Sequence, residues 1–214
     1  MQLPNPSTLS EHIQMGMELL ATLAFAISGI LVSARKRLDA VGVCVVAFLA
    51  AFGGGTLRDL LLDARPFFWV KHIELLWAVV VLCLAAMLFM RQRHYQATEK
   101  AILWPDTLGL GLFTAAGVFQ AIQAGLPALA AVLMGVITGV FGGVLRDIVC
   151  NEIPQAFHDH RPYAVCAFFG GWAYIGLLAL GCPGYVNMLG SVLVTMGLRM
   201  YAVWKDVRLP EWRS

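Results

Sequence analysis

Charged residues are scarce in this sequence. Only 13% of its 214 residues are Asp, Glu, Lys or Arg, whereas 59% are hydrophobic. Soluble domains carry about 25% charged residues, so this composition excludes an ordinary soluble domain and is typical of a membrane protein. The formal net charge of +2 is too small, and the basic residues too scattered, to indicate a partner among nucleic acids. No soluble protein partner is evident either.

Paired cysteines and catalytic motifs are absent as well. The five cysteines, at positions 44, 83, 150, 166 and 182, include no CxxC pair. There is no Walker loop, GxSxG or HExxH motif, so we expect neither an enzyme nor a cofactor. His158, Asp159 and His160 with Glu152 only superficially resemble a metal-binding cluster, and because they lie in a predicted loop we expect no metal site.

Long apolar segments predict an all-α membrane protein that forms a single membrane domain over residues 1–214. Residues 1–14 contain no Lys or Arg, and therefore lack the basic region of a signal peptide. Turn signals at 125–127 and 181–184 divide two apolar stretches that are too long for one helix. Seven spans result, at about 17–34, 40–57, 73–90, 105–124, 128–146, 163–181 and 185–204.

The distribution of basic residues predicts the orientation. With the N-terminus outside and the C-terminus inside, only Arg65 and Lys71 lie in outer loops. Because inner segments of membrane proteins are enriched in Lys and Arg, this topology is favoured over the reverse. The inner segments then contain Arg35, Lys36, Arg37, Arg91, Arg93, Lys100, Arg161, Lys205, Arg208 and Arg213.

A charged motif occurs twice in the apolar sequence. Gly-Gly-x-Leu-Arg-Asp stands at 54–59 and again, 88 residues later, at 142–147. The same offset matches Phe25 with Phe113 and Glu18 with Asp106. Each unit contains three helices, and an odd number inverts the second unit in the membrane. We therefore predict inverted repeats at about 15–92 and 103–181, followed by a seventh helix at about 185–204.

The glycines before the charged residues have two interpretations. They weaken a helix, so a kink or local unwinding could expose backbone carbonyls to a water-filled path. Small residues also recur every fourth position at 135, 139 and 143, and at 47, 51 and 55, which is typical of close packing between the second and fifth predicted helices. The candidate helix-break residues are Gly53, Gly54, Gly55, Gly142 and Gly143.

The charged residues of the motif are candidates for lining or gating an aqueous path. Neighbouring side chains on one helix point about 100° apart, so we expect no pairing within the motif. A purely structural role is the alternative. Glu18 and Asp106 are expected to cap first helical turns, and Asp63 and Asn151 to follow the aspartates on the same helix face. The candidate charges are Arg58, Asp59, Arg146 and Asp147; candidate polar lining residues are Ser28, Thr56, Asp63, Thr114, Thr138 and Asn151.

With its doubled motif, the sequence resembles bacterial members of the trimeric intracellular cation (TRIC) channel family, whose repeat is also described as a glycine transporter domain. The resemblance covers roughly residues 15–205. It implies a homotrimer in the plasma membrane, the inner membrane of a bacterium, with one hourglass pore in each protomer. It also implies potassium or sodium as the permeant ion, with the glycines bending two helices near the constriction and lipid as a bound partner.

One physical objection leaves a second function open. Arginines near a path repel cations unless the aspartates neutralise them or they turn away. They would suit an anionic or zwitterionic ligand better. The alternative is therefore a secondary transporter for glycine or another small amino acid, and a membrane protein without conduction is a third class.

Overall fold

The helices of the protein were located in a computed structural model that describes residues 6–89, 99–158 and 161–210. Within these ranges the regular secondary structure is entirely α-helical, which confirms the predicted class. The helices are α1 (Pro6–Lys36), α2 (Ala40–Leu61), α3 (Phe68–Lys71), α4 (Ile73–Phe89), α5 (Glu99–Gln123), α6 (Ala128–Val149), α7 (Gln155–His158), α8 (Ala164–Ala179) and α9 (Gly184–Trp204).

Among the described residues, five helices are long and apolar enough to cross a bilayer. They are α2, α6 and α9 over their full lengths, with α1 from His12 and α5 from Lys100. The other two predicted spans correspond to α4 and α8, apolar helices that comprise 17 and 16 residues of the described ranges, close to the lower limit of about 17 for a spanning helix. The short helices α3 and α7 follow α2 and α6 and were not predicted.

The predicted starts of two helices were wrong. α1 begins at Pro6 and α5 at Glu99, so Glu18 and Asp106 lie well inside their helices and do not cap them. The prediction followed only the apolar stretches, whereas the polar residues before them continue the same helices.

α2 and α6 cross in close contact through glycines. A Cβ added to Gly54 would overlap the Thr138 carbonyl oxygen, and one added to Gly142 would overlap the Ala50 carbonyl oxygen. Positions 50 and 138, like 54 and 142, are 88 residues apart. The contact is therefore reciprocal, as expected of two elements related by a twofold axis.

The helices continue as α-helices through 53–55 and 142–143. Local unwinding of the predicted helix-break residues is therefore not seen, because these segments keep their helical hydrogen bonds. The packing interpretation needs a correction too. Gly135 and Gly139 lie against Thr114 and Leu110 of α5, while Ala47 lies against Gly29 of α1. The small-residue stripes thus bring helices of the same repeat together, and Gly54 and Gly142 make the crossing of α2 and α6.

Candidate functional site

The second copy of the motif forms a buried ion-pair cluster. The Arg146 side chain, 1% exposed, contacts two carboxylates: its Nε donates to Asp147 Oδ1 at 2.8 Å and its Nη1 donates to Asp106 Oδ1. The Tyr163 hydroxyl donates to Asp106 Oδ2 at 2.7 Å. Ser28 of α1 accepts from Arg146 Nη1. These five residues are the second cluster, and they join α1, α5, α6 and the start of α8.

The first copy of the motif repeats this arrangement. Arg58 is fully buried, and its Nη1 donates to Glu18 Oε1 at 2.7 Å while its Nε donates to Asp59 Oδ1 at 2.9 Å. Gln120 of α5 donates from Nε2 to the same Glu18 oxygen at 2.6 Å. The Arg58 guanidinium also lies over the Phe68 ring, 5.6 Å from its centre. We call Glu18, Arg58, Asp59 and Gln120 the first cluster.

These contacts correct two predictions. Arg58 pairs with Asp59, and Arg146 with Asp147, because the long arginine side chain folds back toward the next residue although the two Cβ atoms diverge. Glu18 and Asp106 are the other ion-pair partners, each 40 residues before its arginine. The sequence signal for them was present, since the two acidic positions match at the repeat offset.

Each aspartate of the motif also anchors a short helix. Asp59 Oδ2 accepts a hydrogen bond from the Phe68 N–H at 2.7 Å, and Asp147 Oδ2 accepts one from the Gln155 N–H at 3.0 Å. Those N–H groups begin α3 and α7, where a helix has no internal acceptors for its first donors. The aspartates therefore connect the ends of α2 and α6 to the segments that follow them.

The charge balance of both clusters is negative. Each contains one arginine and two carboxylates, which gives a formal charge of −1 when all three are ionised. A buried net charge is costly in a membrane unless it is paired or hydrated. Each guanidinium is bound to two carboxylates, so the charge of each motif arginine is neutralised within its own cluster.

Of the predicted polar lining residues, only Ser28 joins a cluster. Thr56, Thr114 and Thr138 each donate to the backbone carbonyl four residues earlier, at 2.7–2.8 Å. Such bonds satisfy hydroxyls within apolar helices. Thr56 also accepts from Trp69 Nε1 at 3.0 Å.

Asp63 and Asn151 do not continue the helix face of the aspartates. Both are exposed and lie beyond the ends of α2 and α6, with φ angles of 50° and 54°. The next residue of each donates its N–H back to the carbonyl of Asp59 or Asp147, which is a common way to end a helix. Asp and Asn adopt this left-handed backbone more readily than most residues.

The helix α9 contacts the second cluster through an arginine. Arg199 of α9 is 1% exposed, donates from Nη1 to the Pro162 carbonyl at 3.1 Å, and lies over the Tyr163 ring at 5.0 Å from its centre. Sequence reasoning missed Arg199 and Tyr163. The signal for Arg199 was an arginine within an apolar span; for Tyr163 no local signal existed.

Part of the candidate metal cluster lies outside the described residues, namely Asp159 and His160, and so do Arg91, Arg93 and Arg213. Among the residues that the structure describes, no group of three His, Cys, Asp or Glu side chains could hold a metal ion.

Tyr163→Phe is expected to destabilise the protein by about 0.5–3 kcal/mol, because Asp106 loses a hydrogen bond in a buried site. Thermal unfolding of the detergent-solubilised protein measures the effect. Tyr201→Phe removes a hydroxyl from an exposed tyrosine and is the matched control. Equal unfolding temperatures for the two variants would contradict the role assigned to Tyr163.

The comparisons with known proteins agree with this architecture. A family model described as "Glycine transporter" matches residues 15–91 and 103–179. A UPF0126 membrane protein of Vibrio cholerae is 35% identical over 92% of this chain and 81% of its own length. The UPF0126 inner membrane protein YadS of Escherichia coli is 35% identical over 92% of this chain and 94% of its own length.

Two solved structures are similar to this chain over most of its length. The trimeric intracellular cation channel orthologue from Rhodobacter sphaeroides has a TM-score of 0.84 and 30% identity, over 90% of this chain and 98% of that one. A second TRIC cation channel has a TM-score of 0.83 and 32% identity, over 92% and 96% of the two chains. The chain is therefore a multi-pass membrane protein and belongs to the bacterial branch of the TRIC family.

Proposed function

We propose that this protein is a potassium-permeable channel for monovalent cations. The observation that carries the proposal is the pair of buried clusters, each with one more carboxylate than arginine, on two helices that cross. Their net negative charge suits a cation path. The structural relatives named as cation channels support the same function.

The proposed topology is seven spans, in two inverted repeats of three helices plus α9, with the N-terminus outside. Support comes from the reciprocal contact of Gly54 and Gly142 with carbonyls at equivalent positions. Phe25 and Phe113, also equivalent, stack with their ring centres 5.7 Å apart. Contacts between equivalent residues are what a pseudo-twofold axis in the membrane plane produces.

We further propose a homotrimer with one pore in each protomer, in contact with membrane lipid. One relative is named a trimeric channel. Large apolar side chains on α4 are well suited to protein or lipid contact, since Trp77, Leu88 and Phe89 are 65%, 79% and 85% exposed. Crosslinking of the protein in native membranes is expected to give a ladder that ends at three chains; a ladder that ends at one or two would contradict the trimer.

Recording from the purified protein in a planar bilayer tests the channel directly. We expect unitary potassium currents that reverse at the potassium equilibrium potential. The description of the matching family model favours the second candidate, a glycine transporter. Glycine uptake in fixed stoichiometry with protons or sodium, without unitary currents, would support that candidate and overturn the channel.

A further inference from the structure

An open surface pocket of mixed polar and apolar lining lies at the C-terminal ends of α2 and α5. Its volume is about 440 Å³, and it is lined by Gln14, Leu62, Ala64, Phe119, Gln120, Gln123 and Ala124. Three of these residues are glutamines, whose amide oxygens can replace water around a cation. Carbonyl-type oxygens are the ligands from which cation selectivity filters are built.

The electrostatics of the pocket favour a cation. Gln120 lines the pocket and donates its Nε2 to Glu18 Oε1, so the carboxylate of the first cluster lies directly beneath it. The ends of α2 and α5 add the partial negative charge of helix C-termini. Gln120 binds Glu18 through its amide nitrogen, so its amide oxygen is not used in that contact.

At the equivalent positions of the second repeat, buried apolar side chains fill the space that the pocket occupies in the first. An offset of 88 residues relates Gln14 to Ile102, Leu62 to Cys150, and Gln120 to Val32. Ile102, Cys150 and Val32 belong to one buried apolar cluster, the plug, completed by Leu31 and Val46. The same three positions therefore line an open pocket with two glutamines at one end of the molecule and are filled by apolar side chains at the other.

Two ion pairs lie next to the plug, at three of the remaining positions equivalent to the pocket. Ala64, Gln123 and Ala124 of the pocket correspond to Glu152, Arg35 and Lys36. Glu152 lies 3.1 Å from Arg35 Nη2 and 2.7 Å from Lys36 Nζ, and these three residues form the latch. It joins the end of α1 to the segment after α6, directly beside Cys150.

We propose that the pocket is the open end of the cation path, where a partly hydrated monovalent cation binds among the glutamine amides, and that the plug and latch close the opposite end. The proposal rests on the channel function proposed above. One end of the path then has a cation-binding site and the other a gate, although the residues of the site and of the gate stand at equivalent positions of the two repeats.

The latch is charged at neutral pH. Burial disfavours ionised Glu152, but the hydrogen bond from Lys36 and the charges of Arg35, Lys36 and Arg146 outweigh that effect and hold its pKa below the usual range. Because the folded-state pKa is lowered, the latch weakens only as the pH falls through that value. Burial also raises the pKa of the Cys150 thiol, which slows its reaction with thiol reagents while the plug is closed.

Thiol labelling measures how accessible each end of the proposed path is, and it needs no current measurement. Vesicles are treated with a membrane-impermeant maleimide, and mass spectrometry of peptides locates the label. We expect fast labelling of Ala124→Cys in the pocket and protection of native Cys150 from either side. Arg35→Gln combined with Lys36→Gln removes the latch and also removes a positive charge that lowers the pKa of the Cys150 thiol, so faster labelling can only report opening. We expect Cys150 labelling to rise at least tenfold, or about 1.4 kcal/mol of closure. Asp206→Asn, which breaks exposed ion pairs with Arg161 and Arg208, is the matched control and should leave it unchanged.

Unitary conductance tests the cation site. Gln120→Val places the residue of the closed end in the pocket, and we expect the potassium concentration for half-maximal conductance to rise by about threefold to tenfold, the effect of one lost polar contact. Thr114→Val, which changes a hydroxyl bonded only to its own backbone, should leave it unchanged. Fast labelling of wild-type Cys150, or unchanged potassium dependence in Gln120→Val, would overturn the inference. Wild-type protein without unitary current would overturn the channel instead.

Discussion

Arg146→Ala is expected to destabilise the protein by about 3–5 kcal/mol, because it leaves two buried carboxylates without their cation. Asp106 and Asp147 both contact this arginine, and both are almost fully buried. The free energy of unfolding, measured by chemical denaturation in mixed micelles, reports the loss. Arg65→Ala is the matched control, since Arg65 is exposed and lies over the Phe67 ring; we expect it to cost no more than about 0.5 kcal/mol.

A double variant separates the charge effect from lost packing. Adding Asp106→Asn to Arg146→Ala removes one of the two unpaired negative charges, so part of the lost stability should return. Loss of packing alone predicts no recovery. If Arg146→Ala and Arg65→Ala have the same free energy of unfolding, the second cluster does not stabilise the fold.

Gly54→Ala and Gly142→Ala are expected to destabilise the protein by about 1–3 kcal/mol each, the cost of overfilling a packed contact. In both, the new methyl group overlaps a backbone carbonyl oxygen, and relief requires α2 and α6 to separate. The stability of the purified protein and its yield as a monodisperse oligomer measure the effect. Conductance should fall in whatever fraction still folds.

Two other helical glycines, Gly143 and Gly176, supply the controls. At Gly143 the nearest atom to an added Cβ is the Tyr163 hydroxyl oxygen at 3.5 Å, an ordinary contact, and at Gly176 no atom lies within 4 Å. Alanine at either position should be tolerated and should gain up to about 1 kcal/mol in helix propensity. A loss of stability at Gly143 equal to that at Gly54 would show that helix flexibility, and not the crossing, is what the glycines supply.

The sequence predicted the elements better than their contacts. Apolar length placed the helices because a bilayer imposes that length on a helix, but it misplaced the starts of α1 and α5, where polar residues continue each helix. The doubled motif identified Arg58 and Arg146. Their partners were harder to find because Tyr163, Ser28 and Gln120 reach the clusters from other helices, and only the folded chain brings those positions together.

The reciprocal contact between α2 and α6 also bears on how such a chain arises. A surface on which Gly54 meets position 138 while Gly142 meets position 50 is self-complementary, so two identical three-helix chains of opposite orientation could associate through it. Gene duplication and fusion would then preserve an existing homodimer interface. Positions outside that interface would then be free to diverge, and the glutamines at one end of the molecule and the ion pairs of Glu152 at the other are such a divergence.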